Sequence, residues 1–294
     1  KAMKTSLTQT HQWVKEELAR CVSFWLNNGM DRVHAVHGGV YTCLDRKGEV
    51  FSTDKSVWMQ GRCAWTFARL CAQYGIKEEW MRAAESCLQF MEDHCINREL
   101  GGRMYFTVTK DGKPLRQRRY NFSEGFYAMA NAEYYGLTGK QEHLDRARRA
   151  YNLIWDLNHG LMADPTGMGP KTIAATRTGR ALVDPMIYLN LTATLRRVDP
   201  DWADTYNQRA KQCVSDIFTY HRKPDMHCTL ESVGPSGEFM DEFTAGRVVN
   251  PGHVIECSWF LMEEAERLHD NQLMEDTLSM YRDAIEAGWD KEYG

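Results

Sequence analysis

The sequence lacks a long apolar run and an excess of charge of one sign. No apolar stretch approaches the roughly 20 residues that a membrane-spanning helix needs, and the N-terminus has no apolar segment typical of a signal peptide. The 36 basic and 40 acidic residues give a net charge of −4. This balance does not fit the basic footprint of a nucleic-acid-binding protein. Neither nucleic acid nor membrane is therefore an expected partner.

The sequence also lacks paired cysteines and the common metal and nucleotide motifs. Its nine cysteines are odd in number and scattered, and none has C-x-x-C spacing. Without a secretion signal, this pattern indicates reduced thiols and a cytoplasmic location. There is no H-E-x-x-H motif, and the glycine-rich segment 167–171 lacks the G-x-x-x-x-G-K-[ST] pattern of a phosphate-binding loop. We expect no metal site.

Two short basic clusters stand out against the even balance of charge. They are residues 116–119 (RQRR) and 146–149 (RARR). Because the chain as a whole is acidic, we interpret both clusters as solvated loop or helix surfaces rather than as binding sites.

Amphipathic helical patterns dominate what the sequence does contain. Apolar residues recur at helical spacing within 6–28, a stripe that includes Trp13, and within 77–96, a stripe that includes Trp80. We interpret both stripes as helix packing surfaces. The predicted helices span 6–28, 55–75, 77–96, 122–137, 140–158, 182–198, 200–220, 251–269 and 271–288.

Between alternate helices, β-hairpin signals recur at a nearly constant period. Gly38 and Gly101 begin two such segments 63 residues apart, and the turns at Gly48 and Gly112 are 64 residues apart. A related turn at 234–237 follows about two periods later. The chain is therefore predicted to be a helix-pair repeat of roughly 60 residues, with hairpin-bearing loops at one end.

Helix pairs that recur in this way bury their inner faces against neighbouring pairs, in an open solenoid or in a closed ring. The long loops favour an all-α (α/α)6 toroid barrel whose β-hairpin loops gather at one mouth. Six pairs at this period need about 360 residues. We therefore predict that 1–294 is a single α/α-barrel catalytic domain that lacks about three helices at its C-terminal end.

The stretch 250–256 (NPGHVIE) places a histidine and a carboxylate at the start of a helix. Asn250 is a good N-cap, and Pro251 fits the first helical position. His253 then falls at the third position, and Glu256 lies on the same face at i+3. The positive end of the helix dipole disfavours an imidazolium there, so His253 is a candidate general base that Glu256 is placed to orient. A capping or core histidine is the alternative interpretation.

A second candidate site lies in 58–65 (WMQGRCAW). Trp58, Arg62 and Trp65 occupy one helical face at i, i+4 and i+7. A buried arginine must be paired or must meet a polar ligand, so Arg62 either binds a ligand or forms a structural pair with an internal carboxylate while stacking on the indoles. Aromatic rings beside polar donors suit a sugar.

Two acidic residues are weaker candidates. Glu231 lies in a short predicted strand, 228–233, and can equally be an exposed strand residue. Asp184 stands before Pro185, where an N-cap is the expected role.

Four stretches of the chain resemble the N-acylglucosamine 2-epimerase family, which includes the mammalian renin-binding protein. They span most of the chain in the family's order, and the last of them is the most specific. The stretches are 37–41 (HGGVY), 58–62 (WMQGR), 230–233 (LESV) and 250–261 (NPGHVIECSWFL).

The resemblance implies an (α/α)6 barrel with its site at the loop-rich mouth, and an isomerase that requires no redox cofactor. In such enzymes the sugar ring opens, a base removes the C2 proton, an enediolate-like intermediate forms, and a proton returns to the other face. On this chain, His253 would be one acid/base and Glu256 would orient it. Arg62 would stabilise oxygen charge, Glu231 would bind or polarise the substrate, and Trp58 would pack against it.

The expected reaction is the interconversion of N-acetyl-D-glucosamine and N-acetyl-D-mannosamine. The family's second histidine, on a later helix, has no match in this chain, and we expect it after Gly294. The alternatives are an aldose–ketose isomerase or 2-epimerase acting on mannose or another unacetylated sugar, and a non-catalytic protein-binding toroid. An (α/α)6 glycoside hydrolase would need two opposed carboxylates, and no motif identifies them. ATP as an activator and a homodimer are left open.

Overall fold

The structure, a computed structural model, describes residues 6–33 and 37–293. The chain forms two compact units. Unit 1 comprises the described residues up to Leu157 together with Met162–Met168, and unit 2 comprises Asn158–Leu161 and the described residues from Gly169 onward. That the chain is a single catalytic domain lacking its last helices stays a prediction.

Helices make up most of the described chain, and every predicted helix is found. Their ends differ from the predicted ones by a few residues, as is usual for helix boundaries. The helices are α1 (Leu7–Phe24), α2 (Val57–Tyr74), α3 (Glu78–Phe90), α4 (Phe122–Thr138), α5 (Gln141–Asn158), α6 (Val183–Val198), α7 (Ala203–Asp216), α8 (Pro251–Leu268) and α9 (Asn271–Gly288).

The ends of three of the described helices show the repeat directly. Helices α1, α3 and α7 continue into π-helical turns at Trp25–Gly29, Met91–Cys95 and Ile217–His221. The second turn begins 66 residues after the first, and the third begins 126 residues after the second. These spacings are about one and two periods, so the predicted helix-pair repeat is confirmed.

The strands are short and lie in the loops between helices. They are β1 (Cys43–Leu44), β2 (Val50–Ser52), β3 (Lys55–Ser56), β4 (Ile96–Asn97), β5 (Arg103–Met104), β6 (Thr107–Val108), β7 (Pro114–Arg116), β8 (Arg180–Ala181), β9 (Arg222–Lys223), β10 (Cys228–Thr229) and β11 (Ser232–Val233). All pairs are antiparallel: β1–β2, β4–β5 and β3–β6–β7 in unit 1, and β9–β10 and β8–β11 in unit 2. The predicted hairpins around Gly48 and Gly112 are β1–β2 and β6–β7, which confirms both.

Helix α4 is the centre of the core of unit 1. It is buried on every side from Ser123 to Tyr134, and it packs along α2. The packing interpretation is confirmed for the stripe in 77–96, where Trp80 is 7% exposed. For the stripe in 6–28 it is confirmed only at the C-terminal end, because Leu26 is 7% exposed whereas Trp13 is 59% exposed. Periodicity identifies an apolar face, but whether another element covers that face depends on tertiary packing.

Among the described helices, none combines the length and the apolar character that a membrane-spanning helix requires.

Candidate functional site

Helix α8 begins as its sequence predicts. The side chain of Asn250, the N-cap, accepts a hydrogen bond from the backbone N–H of His253 at 3.2 Å, and Pro251 occupies the first helical position. His253 is therefore the third helical residue. Because side chains lean toward the N-terminal end of a helix, its imidazole reaches past the helix start toward the preceding segment.

The carboxylate that meets this imidazole is Glu231. Nδ1 of His253 lies 2.9 Å from Oε1 and 3.1 Å from Oε2 of Glu231. Both backbone groups of Glu231 are held at 2.9 Å, because its N–H donates to the Val248 carbonyl and its carbonyl accepts from the Leu182 N–H. The Glu231 side chain is 20% exposed, so it is not the exposed strand residue of the alternative interpretation.

This contact defines which nitrogen of His253 is available. An ionised carboxylate only accepts hydrogen bonds, so Nδ1 carries a proton and Nε2 is the nitrogen with a free lone pair. Nε2 makes no hydrogen bond to any residue in the described part of the chain. The His253 side chain is 37% exposed, which leaves Nε2 accessible to a ligand.

Glu256 is near this pair but does not make the orienting contact. It is half-buried one turn further along α8, and within 6–33 and 37–293 no hydrogen bond joins it to His253. Burial, followed by the charges of Glu256 and Glu231, raises the pKa of the Cys257 thiol, so both carboxylates lie near Cys257. The structure assigns to Glu231 the orienting contact that the helical spacing predicted for Glu256.

A third carboxyl group, Asp184, lies within range of the charge of Glu231. Burial, and then the charge of Glu231, raises the pKa of Asp184 to about 6. Asp184 is not the predicted N-cap, because Leu182 occupies that position and Asp184 is the second residue of α6. Only one sequence feature could have identified Asp184 as a candidate site residue. It lies beside Pro185 in the first turn of a helix, as His253 lies near Pro251 in the first turn of α8.

In unit 1, the residues of the segment 58–62 (WMQGR), in the first turns of α2, make different contacts. The side-chain amide of Gln60 binds the N–H and the carbonyl of Val40 at 2.9 and 2.7 Å, which ties the stretch 37–41 to α2. Gly61 faces Phe126 of α4, and a Cβ there would come within 2.6 Å of the Phe126 Cβ. Glycine therefore permits the close approach of α2 and α4.

Trp58 is the centre of an aromatic cluster. It meets Phe106 and Phe122 edge to face at 5.2 and 5.4 Å between ring centres, and Phe126 at 6.2 Å in a tilted arrangement. The guanidinium of Arg62 lies over the Phe126 ring at 4.5 Å. We call these five residues the Trp58 cluster. It has the combination of apolar ring faces and hydrogen-bond donors that suits a sugar.

Arg62 is exposed rather than buried in a structural ion pair. Its guanidinium stacks on a phenyl ring, and no carboxylate pairs with it among the residues that the structure describes. The alternative of an internal Arg–carboxylate pair is therefore not what the structure shows. An arginine with five donors and no protein acceptor can bind an oxygen of a ligand.

Metal ligands are not gathered anywhere in the described chain. No group of three or more His, Cys, Asp or Glu side chains within 6–33 and 37–293 could hold an ion. All nine cysteines lie within these ranges, and each is a free thiol.

Comparisons with a family model and with curated proteins give matches over most of the chain. The family model described as N-acylglucosamine 2-epimerase (GlcNAc 2-epimerase) matches residues 39–294. The N-acylglucosamine 2-epimerase of Rattus norvegicus is 32% identical over 286 residues, a match that covers 96% of this chain and 66% of the rat protein. The chain thus spans slightly less than two thirds of the length of this relative.

Solved structures share the fold at lower identity. A crystal structure of D-mannose isomerase superposes with a TM-score of 0.78 at 17% identity, covering 99% of this chain and 74% of that one. The cellobiose 2-epimerase of Bacillus thermoamylovorans B4167 gives 0.76 at 18% identity, covering 95% and 73%. The predicted all-α fold class of the α/α-barrel type is confirmed.

Proposed function

The chain belongs to the N-acylglucosamine 2-epimerase family, and on this basis we propose that it interconverts N-acetyl-D-glucosamine and N-acetyl-D-mannosamine. The observation that carries the proposal is the contact between Glu231 and Nδ1 of His253, which leaves Nε2 as a base. A sugar 2-epimerase needs such a base to remove the proton at C2 of the ring-opened substrate.

In the proposed reaction, Nε2 of His253 takes the C2 proton, and the electron pair of the C–H bond moves toward the C1 carbonyl. The carbonyl oxygen gains negative charge, which a guanidinium is suited to stabilise. We assign that role to Arg62, because its guanidinium is not engaged by a carboxylate of the described chain. Glu231 stabilises the imidazolium that forms, as a carboxylate on the second nitrogen does.

We propose roles for the two glutamates that differ from those that the resemblance implied. Since Glu231 holds the imidazole, we propose that Glu256 contacts the substrate, the role that the resemblance implied for Glu231. Trp58 supplies an apolar ring face in the Trp58 cluster. Return of a proton to the opposite face of C2 requires a second acid, and none of the residues named above takes that role.

The test is exchange of the C2 hydrogen in heavy water. N-acetylmannosamine is incubated with the protein in D2O, and proton NMR follows both the loss of the C2 signal and the appearance of N-acetylglucosamine. We expect deuterium at C2 of the product, and we expect His253→Asn to abolish exchange while its circular dichroism stays unchanged. Epimerisation without deuterium at C2 would exclude the proton-transfer reaction.

The same assay separates the other activities. Conversion of mannose to fructose, with no reaction of N-acetylmannosamine, would identify an aldose–ketose isomerase. No C2 exchange with any of these sugars would favour a non-catalytic binding protein.

We further propose that the reaction requires no cofactor, because His253 and Arg62 supply proton transfer and charge stabilisation from side chains. Activity should persist after dialysis against a chelator, and parallel assays with and without ATP will show whether ATP activates it. The free state of all nine cysteines supports a reducing, cytoplasmic location. That the protein forms a homodimer stays a prediction, which a molar mass from light scattering can test.

A further inference from the structure

A second arginine of unit 1 stands against the Trp58 cluster. Arg118 follows strand β7, and its guanidinium lies 4.8 Å from the centre of the Phe106 ring. Phe106 is itself in contact with Trp58. Arg118 and Arg62 are thus each separated from the Trp58 indole by a single phenyl ring. The interpretation of 116–119 as a solvated loop holds for the exposed Arg116 and Arg119, but Arg118 is half-buried against an aromatic ring.

Neither of these two guanidiniums is engaged by a carboxylate. The Nε of Arg118 is buried and has no hydrogen-bond acceptor in the described chain, and the same residues include no ion-pair partner for Arg118 or Arg62. Arg103 of the same unit is different, because it binds Glu124 at 2.7 Å and Asp164 at 2.5 Å. A cation that is partly removed from water and lacks an acceptor has an unfavourable solvation free energy. A ligand oxygen that accepts a hydrogen bond from Arg118 would offset this cost.

The chemistry of a guanidinium restricts which oxygen it prefers. It has five N–H donors and no acceptor, so it is best matched by an oxygen that only accepts. In a ring-opened N-acyl hexosamine, every hydroxyl both donates and accepts. The two oxygens without a hydrogen are the C1 carbonyl, whose carbon is bonded to C2, and the acyl carbonyl, whose carbon is bonded to the nitrogen on C2.

We propose that Arg118 binds the acyl carbonyl oxygen of the substrate and is the residue that distinguishes an N-acyl hexosamine from an unacylated hexose. The inference rests on the proposed function, in which Arg62 takes the C1 oxygen. The Phe106 ring lies 4.8 Å from the guanidinium, and this cation–π contact favours its position beside the Trp58 cluster. An unacylated hexose offers only one acceptor of this kind and leaves Arg118 unused.

The experiment measures equilibrium binding by calorimetry, with N-acetylmannosamine and mannose as the two ligands. We expect Arg118→Met to raise the Kd for N-acetylmannosamine about tenfold or more, and to change the Kd for mannose by less than about twofold. Arg119→Met is the matched control, because Arg119 is exposed, and it should alter neither Kd. In turnover assays, Arg118→Met should raise KM for N-acetylmannosamine with little change in kcat.

Equal weakening of both sugars, or unchanged binding of N-acetylmannosamine, would overturn the inference. If Arg118→Met does not fold, Arg118→Lys decides the question. It keeps the charge but loses the planar fork, and it should weaken only N-acetylmannosamine, by about threefold or more.

The result is separable from that of the proposed function. Acyl-selective binding that depends on Arg118, without C2 exchange, would refute the reaction and leave this inference standing. C2 exchange with unchanged sugar preference in Arg118→Met would do the reverse.

Discussion

Glu231 and His253 are 22 residues apart in the sequence, and their side chains meet with Oε1 2.9 Å from Nδ1. The start of helix α8 positions the histidine. The glutamate is positioned by the hydrogen bonds of its own backbone N–H and carbonyl groups. A neutral imidazole held in this way presents Nε2 as the proton acceptor. The pair is therefore the natural first target for mutation.

Replacing Glu231 by Gln should lower kcat for C2 exchange by about 100-fold or more, because an amide has no charge to stabilise the imidazolium and can select the wrong tautomer by donating to Nδ1. The measurement is deuterium incorporation by NMR under saturating N-acetylmannosamine. Glu242→Gln, at an exposed position of the same unit, is the control and should retain full activity. A Glu231→Gln protein with the wild-type kcat would show that the contact has no role in proton transfer.

Replacing Arg62 by Met should lower kcat by about 10²- to 10³-fold, because the charge that develops on the C1 oxygen loses its stabilising cation. Since Arg62 is exposed and has no carboxylate partner in the described chain, the thermal midpoint should change little. Steady-state kinetics and a melting curve check the two parts. Arg116→Met, at an exposed position of β7, should leave both quantities unchanged, and a large loss of stability in Arg62→Met would point to a structural arginine instead.

The stability of unit 1 should depend on the buried pair of Lys55 and Asp31. Both side chains are fully buried, with Nζ 2.6 Å from Oδ2, and Nζ also donates to the carbonyls of Gly38 and Lys110 at 2.8 and 3.0 Å. Lys55→Met leaves a buried carboxylate without its cation. We expect it to cost about 3–5 kcal/mol in the free energy of unfolding, measured by urea denaturation.

The exposed Lys113→Met should cost almost nothing in the same measurement. The double variant Lys55→Met with Asp31→Asn should recover part of the loss, because it removes the unpaired charge. A double variant no more stable than Lys55→Met alone would contradict this explanation.

Asp184 should give unit 2 a pH-dependent stability. Because its pKa is raised to about 6 in the folded protein, it favours folding below about pH 4, and this contribution is lost as pH rises through about 6. The amide in Asp184→Asn cannot ionise. The stability of this variant relative to the wild type should therefore increase by about 1–3 kcal/mol between pH 4 and pH 7.5, as measured by denaturation at each pH.

The charge of Glu231 is part of the cause of this shift. In a Glu231→Gln background, the same comparison at Asp184 should therefore give a smaller increase. A difference between Asp184→Asn and the wild type that is constant with pH would show that the Asp184 carboxyl is not perturbed.

Much of the local structure follows from the sequence alone, because its causes are local. Helical periodicity predicts each of the nine helices that the structure describes, since the 3.6-residue repeat is a property of neighbouring residues. The N-cap Asn250 and Pro251 fix the start of α8 for the same reason. The glycines at 48 and 112 mark the hairpins through their positive φ angles of 93° and 79°.

The long-range contacts of the candidate site did not follow from the sequence. Spacing along one helix favoured Glu256 as the partner of His253, whereas the partner is Glu231 from a preceding loop. Asp184, at the start of another helix, lies close enough to Glu231 for the charge of Glu231 to raise its pKa. Arg118 lies in a basic run typical of a solvated surface, but its side chain stacks on Phe106.

By itself, the sequence determined where the helices and hairpins lie and that His253 and Arg62 each stand in the first two turns of a helix. Only the tertiary structure decided which carboxylate holds the imidazole, which rings surround Trp58, and that α1 leaves Trp13 exposed. The physical reason is the range of the interactions. Periodicity, caps and turns act over a few residues, whereas the partners of a side chain depend on backbone hydrogen bonds and packing between segments that are distant in the chain.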